Sequence, residues 1–318
     1  YGPNNGDAAS SAYALDGVNI LNSLWAGVEV SDTSANTNGS TVSMSIGGNT
    51  TINNTTRGLL IQGADASASF TGPAAASFTS QARYIDQISN GANVPATNIN
   101  ATTVNFDGQT GATASLAQNF AIEDKIVHKI DNSALGFVLV KANNDFVTVN
   151  SFSTPNTTPS IQRGVDAASA GFTVNVGPGT FVEDVNVNKQ LTLLGSGYLN
   201  TTVSGAIGGA GSTFQMNAAG IVFDGFTVTR EGNNTTDWNN PGLNTAGIAI
   251  QGQSNYAEIR NSKFTGNRTG IDVNNSNGNN IHNNIITFNR TGLIFRNQTD
   301  NTNLTENEIT DNWTMGVL

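Results

Sequence analysis

Three arginines, Arg230, Arg268 and Arg290, each stand four residues after an apolar one: Phe226, Phe264 and Ile286. If those apolar residues share one place in a repeating unit, the guanidinium groups stack in a column, about 4.8 Å apart from one layer to the next. Like charges that close repel, and a carboxylate or a bound anion relieves them. After Arg230 the chain makes a detour that carries Glu231, Asp237, Trp238 and Pro241. An aromatic ring flanked by carboxylates and arginines has the composition of a sugar site: the ring stacks on an apolar sugar face and the polar groups meet hydroxyls. The competing reading is a decorated loop that Trp238 packs onto the flank of the fold. The sequence leaves both open.

Other chemistry is sparse. The chain has no cysteine and two histidines, so it offers no disulfide framework and no thiol chemistry, and no transition-metal site is expected. No cofactor is expected, and no recognisable site supports Ca²⁺. His282 lies among Asn279, Asn280 and Asn283 and reads as a solvated turn residue, while His128, beside Lys129, reads as a surface residue of a helix. Asn-X-Ser/Thr sequons are frequent, among them those at Asn38, Asn54, Asn200 and Asn297, although a chain this rich in Asn and Thr produces many by chance. A net charge of −10 with 11% charged residues provides no basic patch, so nucleic acid and anionic membranes are not expected partners. No apolar run is long enough to span a bilayer. The sequence opens on Tyr1 with no signal peptide before it, which suggests a processed or excerpted piece of a longer product.

The elements that must position these residues are announced by a repeat. Asn267-Arg268-Thr269-Gly270-Ile271 returns as Asn289-Arg290-Thr291-Gly292-Leu293, and more loosely from Asn312 to Val317, with a period of 22–23 residues. Phe264, Ile286 and Ile309 keep one phase, and Asn267, Asn289 and Asn312 keep another. Such a period marks stacked structural units. The apolar column is expected inside. The Asn column is expected at turns as a structural ladder, with Asn in the left-handed backbone region. Upstream, residues 160–168 read as a short helix with Thr158 as N-cap and Pro159 in the first turn, placed to cap or plug the coil that follows. Alternating apolar residues then mark strands at Phe172, Val174 and Val176, at Val185 and Val187, and at Leu191 and Leu193. Ile221, Phe223, Phe226 and Val228 follow, broken at Asp224-Gly225.

The stretch from Ser160 to Gly197, with Val176-Gly177-Pro178-Gly179-Thr180-Phe181 and Leu191-Thr192-Leu193-Leu194-Gly195, resembles the N-terminal entry of right-handed parallel β-helix proteins of the pectin-lyase-like superfamily. Asp224-Gly225-Phe226-Thr227-Val228 and the Asn-rich repeats are similar to that family's rungs. The resemblance covers about half the chain and implies an all-β, three-sheet solenoid. It does not imply one activity, because the superfamily holds lyases, hydrolases, epimerases, adhesins and inert scaffolds. Its enzymes place carboxylates and a basic group on an exposed sheet, often with Ca²⁺. This chain has no Asp-Asp pair, no Asp-Pro-His-Glu of uronate epimerases, and no His-Gly with the Arg-Ile-Lys of polygalacturonases. The acidic Ca²⁺ cluster of pectate lyases is not recognisable either.

Residues 1–118 carry the same grammar less regularly, with rungs expected over 18–30 and 50–62. Residues 119–158 read as a connector: a helix from the spacing of Phe120, Glu123, Ile126, Val127 and Ile130, then a hairpin of 136–140 with 146–149 over Asn143-Asn144-Asp145. A long surface insertion on one continuous coil is the alternative. Residues 159–318 form the second coil. The C-terminal rung, Ile309 to Leu318, repeats the internal spacing of Ile20 to Val28, and neither carries an evident cap. The expectation is therefore an extracellular or cell-surface structural or adhesive module of a larger filament-forming protein, stacking on copies of itself. The alternatives are a polysaccharide lyase or glycosidase, or a glycan-binding module, acting at residues 230–246.

Overall fold

The structure is a computed structural model that describes residues 10–32, 40–72, 76–150, 158–206, 211–230, 238, 240 and 246–318. Glu231, Asp237 and the sequon at Asn38 lie outside them. The chain divides into two compact units, Tyr1–Asn144 with Asn150–Thr158, and Asp145–Val149 with Pro159–Leu318.

Every strand pair in the ladders of both units is parallel. Parallel strands cannot be joined by tight hairpins, so each strand pairs with its counterpart one circuit later. Among the described residues the second unit has three sheets of seven, six and six strands. Like stacks on like inside them. Val174, Leu193, Phe223, Ile259, Ile281 and Leu304 form one column. Phe181, Val203, Val228, Phe264, Ile286 and Ile309 form the second. Val185, Phe214, Ile248, Ile271, Leu293 and Val317 form the third. Most of these side chains are fully buried, and each contributes roughly 1.5–3 kcal/mol on full burial. The expected phase of Phe264, Ile286 and Ile309 is therefore the core phase of a parallel β-helix.

The first unit repeats the plan. Ile20, Ile52, Phe78 and Phe106 stack in one sheet. Val28, Leu59, Ile85 and Ile126 stack in another. Strands Ser10–Leu15, Thr41–Ile46 and Ala66–Phe70 make the third side.

Between the coils the structure departs from the sequence reading. Helix α1 spans Leu116–Glu123, earlier than its apolar spacing suggests, because Ser115 and Gln118 form a capping box. It ends before Ile126–Val127, which is a strand paired with Ile85 and Asp86. The expected hairpin does not form. Val138–Leu139 pairs in parallel with Ile99–Asn100, whereas Asn144–Val147 lies beside Thr173–Val176 in the second unit's seven-stranded sheet. An isolated antiparallel bridge joins Lys141 to Asn144. Val138 and Val140 bury in the first core, and Val147 packs by Gly164 and Val174 of the second unit, so burial rather than adjacency decides the pairing.

Helix α2 spans Ile161–Ala167. Its N-cap is Ser160, not Thr158, with Oγ accepting the Arg163 N–H. The Glu183 carboxylate accepts the Ile161 N–H at 2.5 Å and the Gln162 N–H at 3.2 Å, filling the donors that a helix start leaves open. Ile161 and Val165 are fully buried, so α2 sets its apolar face against the core.

Inside and outside are thus assigned residue by residue. Ile286→Asp is expected to cost several kcal/mol, about 4 or more, because a carboxylate enters a dry stack without a partner. Arg290→Ala is expected to cost under about 1 kcal/mol. Chemical denaturation of the two variants checks this, and equal losses would contradict the assignment.

Candidate functional site

The turns are held by amide ladders. Asn289 Oδ1 accepts the Asn267 N–H at 3.0 Å, and Asn312 Oδ1 accepts the Asn289 N–H at 3.1 Å. Asn289 Nδ2 donates to Phe264 O at 3.0 Å and to Thr287 O at 3.1 Å. Each side chain satisfies its own turn and the strand end of the rung before it. A second column, at Ser262, Asn284 and Asn307, does the same and was not read from the sequence. Its signal is there, since Asn284 and Asn307 are separated by the same 23 residues as Asn289 and Asn312. The backbone differs from expectation. The ladder asparagines are not left-handed; the residues just before them are, at Gly266, Phe288 and Asp311, and at Asn261, Asn283 and Glu306.

The ladders also sort the sequons. Asn267 and Asn289 head Asn-Arg-Thr sequons but are fully buried, with amide nitrogens that donate within the stack. A glycan there is incompatible with the fold. Asn54, Asn200 and Asn297 are exposed.

The arginine column is corrected by register. Val228, not Phe226, pairs with Phe264. Arg230 therefore falls two residues out of the column that holds Arg268 and Arg290. It is almost wholly buried. It donates to Ala206 O at 2.5 Å and to Gly211 O, and lies 3.5 Å from Asp184. Burial pulls its pKa below the ordinary value, against the opposing charge of Asp184. Arg268 and Arg290 do share a column. Burial first, then repulsion from Arg290 and Arg296, lowers the pKa of Arg268, and its Nε donates to Trp238 O at 3.0 Å. Trp238 is buried, with its ring 6.0 Å from that of Trp313. The Trp238 side chain thus packs inward. Of the two rings, Trp313, 61% exposed, offers a face to solvent.

Both histidines differ from expectation. His128 is fully buried, outside the helix, and stacked on Phe137. The Val138 N–H donates to its Nδ1 at 2.9 Å, so the proton sits on Nε2 and is donated to Glu123 Oε1 at 2.5 Å. The pair pins α1 to the chain that follows it. His282 is on the strand Asn280–His282. Its Nε2 meets Glu258 Oε1 at 3.1 Å and its Nδ1 meets Asn283 Oδ1 at 2.7 Å. Asn283 Nδ2 donates to Glu306 Oε2, which fixes the amide's orientation. Both ring nitrogens face acceptors, an arrangement that favours the doubly protonated imidazolium. It joins a chain of pairs on this outer sheet face: Arg260 Nε to Asp224 at 2.7 Å, and Arg260 to Glu258 at 2.6 Å. In the first unit Arg57 and Arg83, stacked in register, both turn to the buried Asp86, at 2.6 and 2.9 Å.

Among the described residues no group of three or more His, Asp or Glu is placed to hold a metal ion, and no helix is long and apolar enough to cross a membrane.

Three parallel sheets wound rung on rung, with amide ladders at their turns, define a parallel β-helix. Residues 219–318 match the family described as "Right handed beta helix region", and the fold over them is that of a right-handed parallel β-helix. No curated protein and no solved structure matches the chain.

The hydrogen bond that His282 donates to Asn283 Oδ1, partly opposed by burial, and the bond to and charge of Glu258 raise its pKa. The sign follows: stability from the imidazolium is complete below the unfolded pKa of about 6.5 and is lost as pH rises through the raised folded value. His282→Gln should therefore lower Tm at about pH 5.5 and have little effect at about pH 9. Thermal melts of both proteins across that range check it.

Proposed function

We propose that the chain is a structural or adhesive β-helix module of a large extracellular or cell-surface protein, extended by stacking further rungs on its ends. One observation carries this reading: outward polar side chains are engaged with one another from rung to rung. Arg260 is held by Asp224 and Glu258, His282 by Glu258 and Asn283, and Arg296 by Asp272. The open cleft at Gly252, Gln253, Asn255, Asn275, Asn277 and Gln298 is lined by amides and glycine, with no acid or base. An enzyme of glycosidic bonds needs two carboxyl groups free to act, roughly 5–10 Å apart across a sugar site. Here the carboxylates on the outer sheet face serve as cross-rung ties. Exposed sequons at Asn54, Asn200 and Asn297 suit a surface glycoprotein.

A glycan-binding reading is favoured by one patch, where the exposed ring of Trp313 lies near the turn that carries Arg290 and Arg268. There the module would bind polysaccharide without turnover.

Incubation with pectate or alginate, with and without Ca²⁺, is expected to yield no unsaturated or reducing-end product above a buffer blank. Steady product formation that is lost in Glu258→Gln or Asp224→Asn would replace this reading with a lyase or glycosidase.

A further inference from the structure

One corner of the second unit holds a residue that does not suit its column. The corner joins strand Ala246–Gln251 to strand Glu258–Arg260, and described rungs lie on both sides of it. Register aligns Gly220, Tyr256, Gly278 and Asn301, each two residues before the paired positions Val222, Glu258, Asn280 and Asn303. All four are left-handed, with φ of 69°, 61°, 70° and 55°. Glycine and asparagine visit that region routinely, whereas a bulky residue there is an outlier. Tyr256 is also 70% exposed, so burial of its ring in the core does not account for its place. Residues held in such backbone cluster at ligand clamps and active sites.

The ring has a built seat. A Cβ at Gly278 would stand 2.7 Å from Cδ1 and Cε1 of Tyr256, so the ring lies across the bare glycine of the next rung. The residues just before Tyr256 and Gly278, which are Asn255 and Asn277, line the open amide cleft together with Gln253 and Asn275.

The ladder sets what this cleft can offer. Asn255 Oδ1 accepts the Asn277 N–H at 2.8 Å, and Asn277 Oδ1 accepts the Asp300 N–H at 2.7 Å. Each oxygen is spent on the next rung, while each Nδ2 has no acceptor among the described residues. The exposed side chains of Gln253 and Asn275 bond nothing there either. Asn284 and Asn289, at the other corners, use both ends of the amide.

An exposed ring beside unspent amide donors suits a neutral sugar. The negative ring face attracts the polarised C–H groups of a pyranose, and its hydroxyls accept from the amides. No Lys or Arg lines the cleft, and Asp300, which Gln298 meets at 3.4 Å, disfavours acidic sugars. A peptide strand finds no free ladder, because the N–H groups of Gln253, Tyr256 and Gly278 already donate to Asn275 O, Asn277 O and Asp300 O. Equivalent donors recur at about 4.8 Å, close to the rise of one ring in an extended, equatorially linked glycan.

We propose that this corner binds a neutral β-1,4-linked glycan along the coil, with Tyr256 as stacking platform and Nδ2 of Asn255 and Asn277 donating to successive sugars. The site is separate from the turn of Trp313 and adds a ligand to the module proposed above. Cleavage of the glycan would overturn that module reading, whereas a failure to bind would leave it standing.

Titration calorimetry with cellohexaose, chitohexaose, maltohexaose and a galacturonic acid hexamer tests the site. At least one of the first two is expected to bind at least about tenfold more tightly than either of the last two. Tyr256→Gly is expected to weaken that binding at least about fivefold while Tm holds or rises, since glycine suits this backbone. Asn255→Asp keeps the Oδ1 acceptor for Asn277 and removes the donor, so it is expected to weaken binding by about threefold or more with the fold intact by circular dichroism. No binding of cellohexaose or chitohexaose at millimolar concentration overturns the site. Equal binding of the acidic hexamer or of maltohexaose overturns the ligand class. Unchanged binding in Tyr256→Gly, with a fall in Tm, makes the ring a structural prop and overturns its role.

Discussion

The parallel stacking of each strand on its counterpart one circuit away governs everything else in this molecule. It repeats every position at about 4.8 Å, so whatever occupies a position is placed against its own kind. Aliphatic residues gain from that, since each column becomes a continuous dry core. Amides gain as well, because Asn carries both donor and acceptor and can bond the same group above and below. Charges lose, unless opposite signs interleave. The exterior follows from that last constraint: Asp86 sits between Arg57 and Arg83, and Arg260 between Asp224 and Glu258.

The same constraint explains what the sequence made legible. The repeat at Asn267, Asn289 and Asn312 exposes register directly, and with it the fold class and the core phase of Ile286. Arg230 lies outside the column that its spacing from Phe226 suggests, for a physical reason. Phe226 and Val228 are both fully buried, and two inward residues two positions apart make the phase ambiguous by two, which is one step of the pleat. The alignment on Phe226 carried Arg230 into the wrong column. The apolar runs around Asn143-Asn144-Asp145 look like a hairpin because hairpins reward adjacent runs, whereas a solenoid pairs runs a full circuit apart. Ile126 and Val127 fit helical spacing and strand alike, as short apolar runs do.

The histidines were illegible for a different reason. Nothing local distinguishes a buried His128 from an exposed one. Its burial comes from Phe137 and Val138 folding back over it. His282 required knowledge of Glu258, which sits a rung away. For the loop after Arg230, composition suggested sugar chemistry, yet it could not reveal that Trp238 faces inward and that Trp313 keeps an open ring.

The ladder of Asn267, Asn289 and Asn312 has one irregular end. Asn267 Oδ1 is buried and accepts no hydrogen bond among the described residues. Its Nδ2 still donates to Val228 O at 3.1 Å in the rung before it, so at this height the column keeps one of its two kinds of tie. Columns of this kind zip cooperatively, each link presupposing the one beside it, and a seam is where such a zipper divides. The side-chain ladder is therefore thinnest at Asn267, while the strand pairing runs on past it into the earlier rungs. Local opening, which in a stacked array passes from one rung to its neighbour, meets its weakest side-chain tie at that height.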